Sequence, residues 1–307
     1  MKKLIKITLL VYLCPFALLA QKQYADSTYS PPQFQPGYSI GTGPKIFIDE
    51  GHHNFHTKEG RYSPFVKVLE RDGYRVESFK GNFSPDELSE AKVLVIANAL
   101  PESSLQKWVA PTASAFSKSE IEALKKWVQD GGKLFLLADH MPMAGAAKGL
   151  AAAFGYTFYD GFADDTTTTS GAELFMKANH SLSVTELTKG ARSMFAVDSV
   201  VSYTGQAFQI PKEAQSVLNC GEGWVVKLTE VAWQFNEDTE VLSAEGWSQG
   251  AYQKFGKGKI VVFGEAAMFS AQIAEIDEHR IKAGMNSPRA KNNYKLLINL
   301  VRWLDDK

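Results

Sequence analysis

The chain has 307 residues, 45% of them hydrophobic, and 33 lysines and arginines set against 34 aspartates and glutamates give a formal net charge of −1. That hydrophobic share is enough for a sizeable core, so a globular protein is expected and a disordered or fibrous one excluded. The near balance of charge leaves no global basic field, so neither nucleic acid nor an anionic membrane surface is an implied partner.

Lys2, Lys3 and Lys6 precede the apolar run Ile7 to Leu19, which closes on Ala-Leu-Leu-Ala20 before Gln21-Lys22-Gln23. A basic start followed by a short apolar run is the pattern of a secretory signal peptide, residues 1–20, and is too short for a stable membrane span. The expected location is periplasmic or secreted. A lipoprotein anchored through Cys14 is the competing reading, opposed by bulky Val11, Tyr12 and Leu13 where small residues are needed. After cleavage only Cys220 remains, so no intramolecular disulfide is expected. Residues 21–43 are rich in Pro, Ser, Gln and Tyr without a period, and read as an extended lead-in.

From residue 44 onward the pattern is α/β. Ile46 to Ile48 is a short buried strand, Ser63-Pro64 starts a helix with Phe65, Val68 and Leu69 on one face, and Tyr74 to Ser78 is a second strand. A helical turn at Ser84-Pro85 leads to a third strand, Val93 to Ala97. Ser117 to Glu120 forms a capping box for a helix over Ile121 to Gln129, which Gly131-Gly132 ends before the strand Leu134 to Ala138. Such alternation predicts parallel strands joined by right-handed crossovers. A small-residue helix follows over Ala144 to Phe154. Between about residues 160 and 255 the alternation stops, and short strands at Val197 to Tyr203, Gln215 to Leu218 and Val225 to Leu228 predict a β-rich insertion. The pattern returns with the strand Ile260 to Phe263, a helix over Ala266 to Ala274 and a terminal amphipathic helix from Tyr294 to Leu304.

Chemistry gathers behind three of these strands. Asp49, Glu50, His52, His53 and His56 fall within eight residues after the first, and hold half of the six histidines. Asp139-His140 follows the Leu134 strand and Glu265 the Ile260 strand, so all are expected at one carboxyl edge, where open α/β sheets bind ligands. Imidazoles beside carboxylates suit a divalent metal, zinc first, with Asp49, His52, His56 and Asp139 as ligands. Glu50, His140 and Glu265 are then the catalytic candidates, a carboxylate of raised pKa serving as general base. The bland alternatives are that Asp139 caps the Ala144 helix and that Glu265 answers the dipole of the helix after it. His180 and His279 read as surface residues, and the run Thr166 to Thr169 as a loop near the site. No G-x-S-x-G elbow and no phosphate-binding G-x-x-x-x-G-K-[ST] occurs.

Four segments, GHHNFHT, GGKLFLLADHMPMAG, GKIVVFGEAAMFSAQ and MNSPRAKNNYKLLINLVRWL, together resemble secreted bacterial proteins of the class I glutamine amidotransferase-like superfamily, over roughly Lys45 to Leu304. The resemblance implies a flavodoxin-like parallel sheet flanked by helices. Amidotransferases of that superfamily use an elbow cysteine, and none stands here, so glutamine hydrolysis is not expected. The opening strand also looks like the I-D-P-G-H start of zinc-dependent cell-wall amidases, with His52 in the place of their first zinc-binding histidine. Together these readings lead to an exported hydrolase acting on a small-molecule or glycan substrate, with a non-catalytic glycan- or protein-binding domain or an amidase-like zinc enzyme as alternatives.

Overall fold

Successive side chains of a strand point to opposite faces, and this divides the core in two. Val93, Val95 and Ala97 pack into one cluster while Leu94 and Ile96 pack into the other, and Leu134 to Leu137 divide the same way. Strands apolar on both faces belong in the middle of a sheet covered on both sides. The protein is described by a computed structural model, which covers residues 22–168, 172–190, 194–276 and 279–307. The expected signal peptide and Cys14 lie outside the described residues, as does Thr169 of the threonine run.

The elements in order are β1 (Lys22–Ala25), β2 (Lys45–Asp49), α1 (Ser63–Arg71), β3 (Arg75–Phe79), α2 (Pro85–Leu88), β4 (Val93–Ala97), α3 (Lys118–Asp130), β5 (Lys133–Leu137) and α4 (Met143–Ala153). Then come β6 (Phe162–Asp165), β7 (Glu173–Met176), β8 (Ser199–Ser202), β9 (Gln215–Asn219), β10 (Trp224–Leu228), β11 (Glu240–Ser243), β12 (Ser248–Phe255), β13 (Gly258–Phe263), β14 (Ala271–Ile276), β15 (His279–Gly284) and α5 (Asn293–Leu304). One seven-stranded sheet runs β3-β2-β4-β5-β13-β12-β9. Its first five strands pair in parallel, and β12 and β9 pair antiparallel. Residues of α1 and α5 fill one cluster, and residues of α3 and α4 fill the other.

The expectation of a flavodoxin-like parallel sheet flanked by helices does not hold. Among the described residues the protein is β-rich, with fifteen strands and five α-helices, and its large sheet is mixed. Three smaller antiparallel sheets, β1-β14-β15, β11-β10-β6 and β7-β8, stand beside it. Of the α/β pattern expected to return after the β-rich insertion, the strand at Ile260 and the terminal helix form, but the helix over Ala266 to Ala274 does not. Residues 266–274 carry helix-forming alanines, yet after a three-residue 3₁₀ turn they run as β14, paired on both edges by β1 and β15. Two ladders of backbone hydrogen bonds outweigh a weak local propensity. The lead-in is likewise not wholly irregular, since it contributes β1. Among the described residues no helix is long and apolar enough to cross a membrane.

Candidate functional site

β2, β4, β5 and β13 are mutually parallel neighbours, so Asp49, Asn98, Asp139 and Glu265 emerge at the same carboxyl edge. The structure brings the candidate residues to this edge but divides them into separate groups. In the first group Asp49 is fully buried, and both its oxygens lie 3.0 Å from His52 Nδ1. His52 Nε2 lies 3.0 Å from Glu120 Oε1. Carboxylate oxygens only accept, so both ring nitrogens carry protons and His52 is an imidazolium. Burial opposes that charge, but the hydrogen bonds and fields of Asp49 and then Glu120 outweigh it and raise the His52 pKa. Glu120 is the capping-box residue of α3: its Oε2 accepts from Ser117 N–H at 2.9 Å while its Oε1 serves His52.

His56 is buried in a second group. Asn98 fixes it, because Asn98 Oδ1 accepts from Asp139 N–H (2.9 Å) and so turns Nδ2 toward Asp139 Oδ2 (2.7 Å) and His56 Nδ1 (3.1 Å). The proton of a neutral His56 then sits on Nε2, which faces the Gln272 amide at 3.4 Å. Gln272 Oε1 is buried without a partner, and a Gln272 amide turned to offer that oxygen to His56 satisfies both groups. Burial, with a smaller push from Arg61, lowers the His56 pKa to about 3.

Asp139 and Glu265 form the third group. Asp139, only partly exposed, also accepts from the Ala266 N–H. Burial raises its pKa to about 6, against the hydrogen bonds from Asn98 and Ala266 and the field of Arg61. Glu265 is buried, and its oxygens accept from Ala267 N–H (2.6 Å) and Met268 N–H (2.7 Å). Burial first and the Asp139 charge second raise its pKa well above the usual carboxylate range. The Asp139 charge opposes ionisation of Glu265, so the two carboxyls titrate as a coupled pair. The backbone crowds in at Gly205, whose φ is +104° and where a Cβ would sit 2.3 Å from the Gly264 carbonyl.

His140, beside Asp139, is part of an aromatic ledge. Its Nδ1–H donates to the Met141 carbonyl at 2.6 Å, which leaves Nε2 as the basic lone pair, and burial lowers its pKa to about 4. The ring stacks on Phe162 (4.4 Å, 14°), meets Trp233 edge-on (4.7 Å) and lies 6.2 Å from Trp108. Trp233 is 51% exposed and Phe235 43%. Two loops hold the ledge together: Ala232 N–H donates to the Trp108 carbonyl and Ala110 N–H to the Glu230 carbonyl. Trp233 has φ 66°, a left-handed backbone that a bulky residue seldom adopts. Strain of this kind persists where surroundings or function hold it.

Glu50 stands apart from these groups. It binds Lys58 N–H with Oε1 at 2.8 Å, its own N–H donates to the Phe79 carbonyl, and Lys80 lies 4.0 Å from Oε2. His53 is exposed, as is His180 at the end of a 3₁₀ turn. The four metal candidates Asp49, His52, His56 and Asp139 are spent in different hydrogen-bonded groups. Among the described residues, no group of three or more His, Cys, Asp or Glu is placed to hold an ion. Asn98, Arg61, Trp108, Phe162 and Trp233 carry no motif and were not singled out from the sequence. Asn98 had one faint signal, as a polar residue ending an apolar strand.

The fold is similar to that of the mmIFT52 N-terminal domain, at TM-score 0.58 and 16% identity, covering 86% of this chain and 98% of that one. More distant are a ThuA-like protein from Bacteroides uniformis (TM-score 0.47, 13% identity, covering 89% and 95%) and a cytoplasmic protein from Salmonella typhimurium (0.48, 13%, covering 85% and 98%). At such identities the likeness to the first extends to fold alone. No curated protein matches. A family model, a domain of unknown function called DUF4350, matches residues 61–272. The assignment to glutamine amidotransferase-like proteins is therefore set aside: the chain belongs to the DUF4350 family.

Proposed function

We propose that the carboxyl edge around Asp139 and His140 is the active site of an exported hydrolase acting on a small, carbohydrate-like substrate. One observation carries this reading: a partly exposed carboxyl with a pKa of about 6 sits beside a histidine that forms part of an exposed aromatic ledge. Asp139 is the partly exposed member of the Asp139–Glu265 pair, and it serves as the general base that takes a proton from attacking water. Asn98 and the Ala266 N–H hold the carboxylate in place. His140 Nε2 accepts a substrate hydroxyl, while Trp233 and Trp108 offer faces against which the C–H side of a sugar ring packs. Export rests on the Lys2 to Ala20 pattern.

A second reading, an exported glycan-binding domain, is favoured by the exposed ledge and by Glu265 having both oxygens occupied by backbone N–H groups. The chain starting at Gln21 and its Asp139→Asn variant, incubated with a panel of aryl glycosides and oligosaccharides, separate the two. A hydrolase releases product and loses at least about 100-fold of the rate in Asp139→Asn. A binding domain retains saccharides on both proteins and turns over none.

A further inference from the structure

Arg61 stands near the carboxyl edge with its charge unanswered: it enters none of the ion pairs among the described residues. Its guanidinium lies over the Phe55 ring, 3.8 Å from the centroid. It donates only to carbonyls, Nη1 to Phe55 at 3.4 Å and Nη2 to Gln23 of β1 at 3.2 Å. Nε is closed off from solvent, so a guest meets this partly exposed side chain at its terminal nitrogens. Each of these has two N–H bonds and gives one to a carbonyl, which leaves one on each. Asp139 is the carboxylate whose field Arg61 feels. It lies beyond ion-pair distance, and its oxygens are taken by Asn98 and the Ala266 N–H.

A half-buried cation has given up part of its hydration, and here no anion of the chain replaces it, which favours an anion brought from outside. The surroundings say which kind. Phe55 meets Trp108 edge-on (5.9 Å), Trp108 lies 6.2 Å from His140, and His140 meets Trp233 edge-on (4.7 Å). Arg61 therefore ends the same row of rings that forms the ledge, and Phe55 and Trp108 are both partly exposed. A guanidinium fork matches a carboxylate, and a row of aromatic faces matches the C–H side of a sugar ring. Resting on the reading of this edge as a saccharide site, we propose that it selects acidic sugars, with Arg61 pairing with the carboxylate of a uronate. The rings hold the sugar, and His140 Nε2 accepts one of its hydroxyls.

Free monosaccharides have no glycosidic bond to hydrolyse, so titration calorimetry with them reads binding alone. The chain from Gln21 is titrated with two matched pairs, D-glucuronate with D-glucose and D-galacturonate with D-galactose. In at least one pair the uronate is expected to bind about tenfold or more tightly than its neutral twin. Arg61→Gln should bring the uronate down to the affinity of the neutral sugar, and Arg61→Lys, which keeps the charge but not the fork, should keep part of the preference. Thermal melts report that the variants are folded, and the wild-type comparison decides without them. Absence of uronate binding, a uronate bound no more tightly than its neutral twin, or a preference intact in folded Arg61→Gln would each overturn the proposal. A uronate preference with no product released from aryl uronides leaves the acidic-sugar site standing and strikes only the hydrolase. Turnover of aryl glycosides with no uronate preference does the reverse.

Discussion

Asn98 and Asp139 clasp each other reciprocally across the ends of β4 and β5: the Asp139 N–H donates to Asn98 Oδ1, and Asn98 Nδ2 donates to Asp139 Oδ2. Asn98 does this from a left-handed backbone, φ 52°, which asparagine tolerates better than most residues. Asn98→Ala should lose roughly 2–4 kcal/mol in urea unfolding, through two orphaned polar groups and a backbone that alanine resists. It should also raise the pKa of Asp139 further, readable by carbon NMR of the carboxyl.

Activity should rise with pH through about 6, because burial, opposed by Asn98, the Ala266 N–H and Arg61, sets the pKa at which Asp139 becomes a base. The measurement is the pH profile of kcat/KM. In Asp139→Asn the residual rate should show no step there, and a step that survives the substitution would assign it to another group.

His56 predicts acid sensitivity. Its folded pKa is about 3 against an ordinary 6.5, so below pH 6.5 the unfolded chain binds a proton that the folded chain refuses. Stability from this group is complete above pH 6.5 and is lost as pH falls toward 3. At about 1.4 kcal/mol per pH unit the loss is several kcal/mol. His140, lowered to about 4, acts in the same direction, and Asp139, raised to about 6 from an ordinary 3.8, acts in the opposite one between those values. Chemical denaturation at several pH values should show a flatter acid limb in His56→Gln than in wild type.

His52→Ala should behave as a structural lesion, since it strands the fully buried Asp49 without its cation. Removing one partner of a buried pair costs about 3–5 kcal/mol. The wild-type contribution of His52 is full below pH 6.5 and fades as pH rises through its raised pKa, so the stability gap between wild type and His52→Ala should narrow in alkali. A chelator should leave the wild-type melt unchanged. A lower melt with chelator would return His52 to the role of a metal ligand.

Trp233→Gly separates strain from binding. Glycine adopts φ 66° without cost and little packing is lost at a half-exposed site, so the melting temperature should hold or rise. Saccharide affinity should fall about tenfold or more if the ring is a stacking surface. A melt that drops by several degrees would instead mark Trp233 as part of the core.

Neighbours in sequence decide part of this structure. Ser117 and Glu120 form their capping box because both partners lie within one turn, and the apolar runs before Asp49, Asp139 and Glu265 deliver those carboxyls to one edge because parallel strands share a direction. What the chain could not show locally was pairing over distance. β14 is a strand only because β1, some 250 residues earlier, and β15 flank it. The histidines were legible as a cluster but not as separate roles, since His52 is claimed by Glu120 and His56 by Asn98. Those partners, and the Trp108 and Trp233 ledge over His140, come from other helices, strands and loops. Protonation state, metal capacity and exposure are set by such neighbours, and they exist only once the chain has folded.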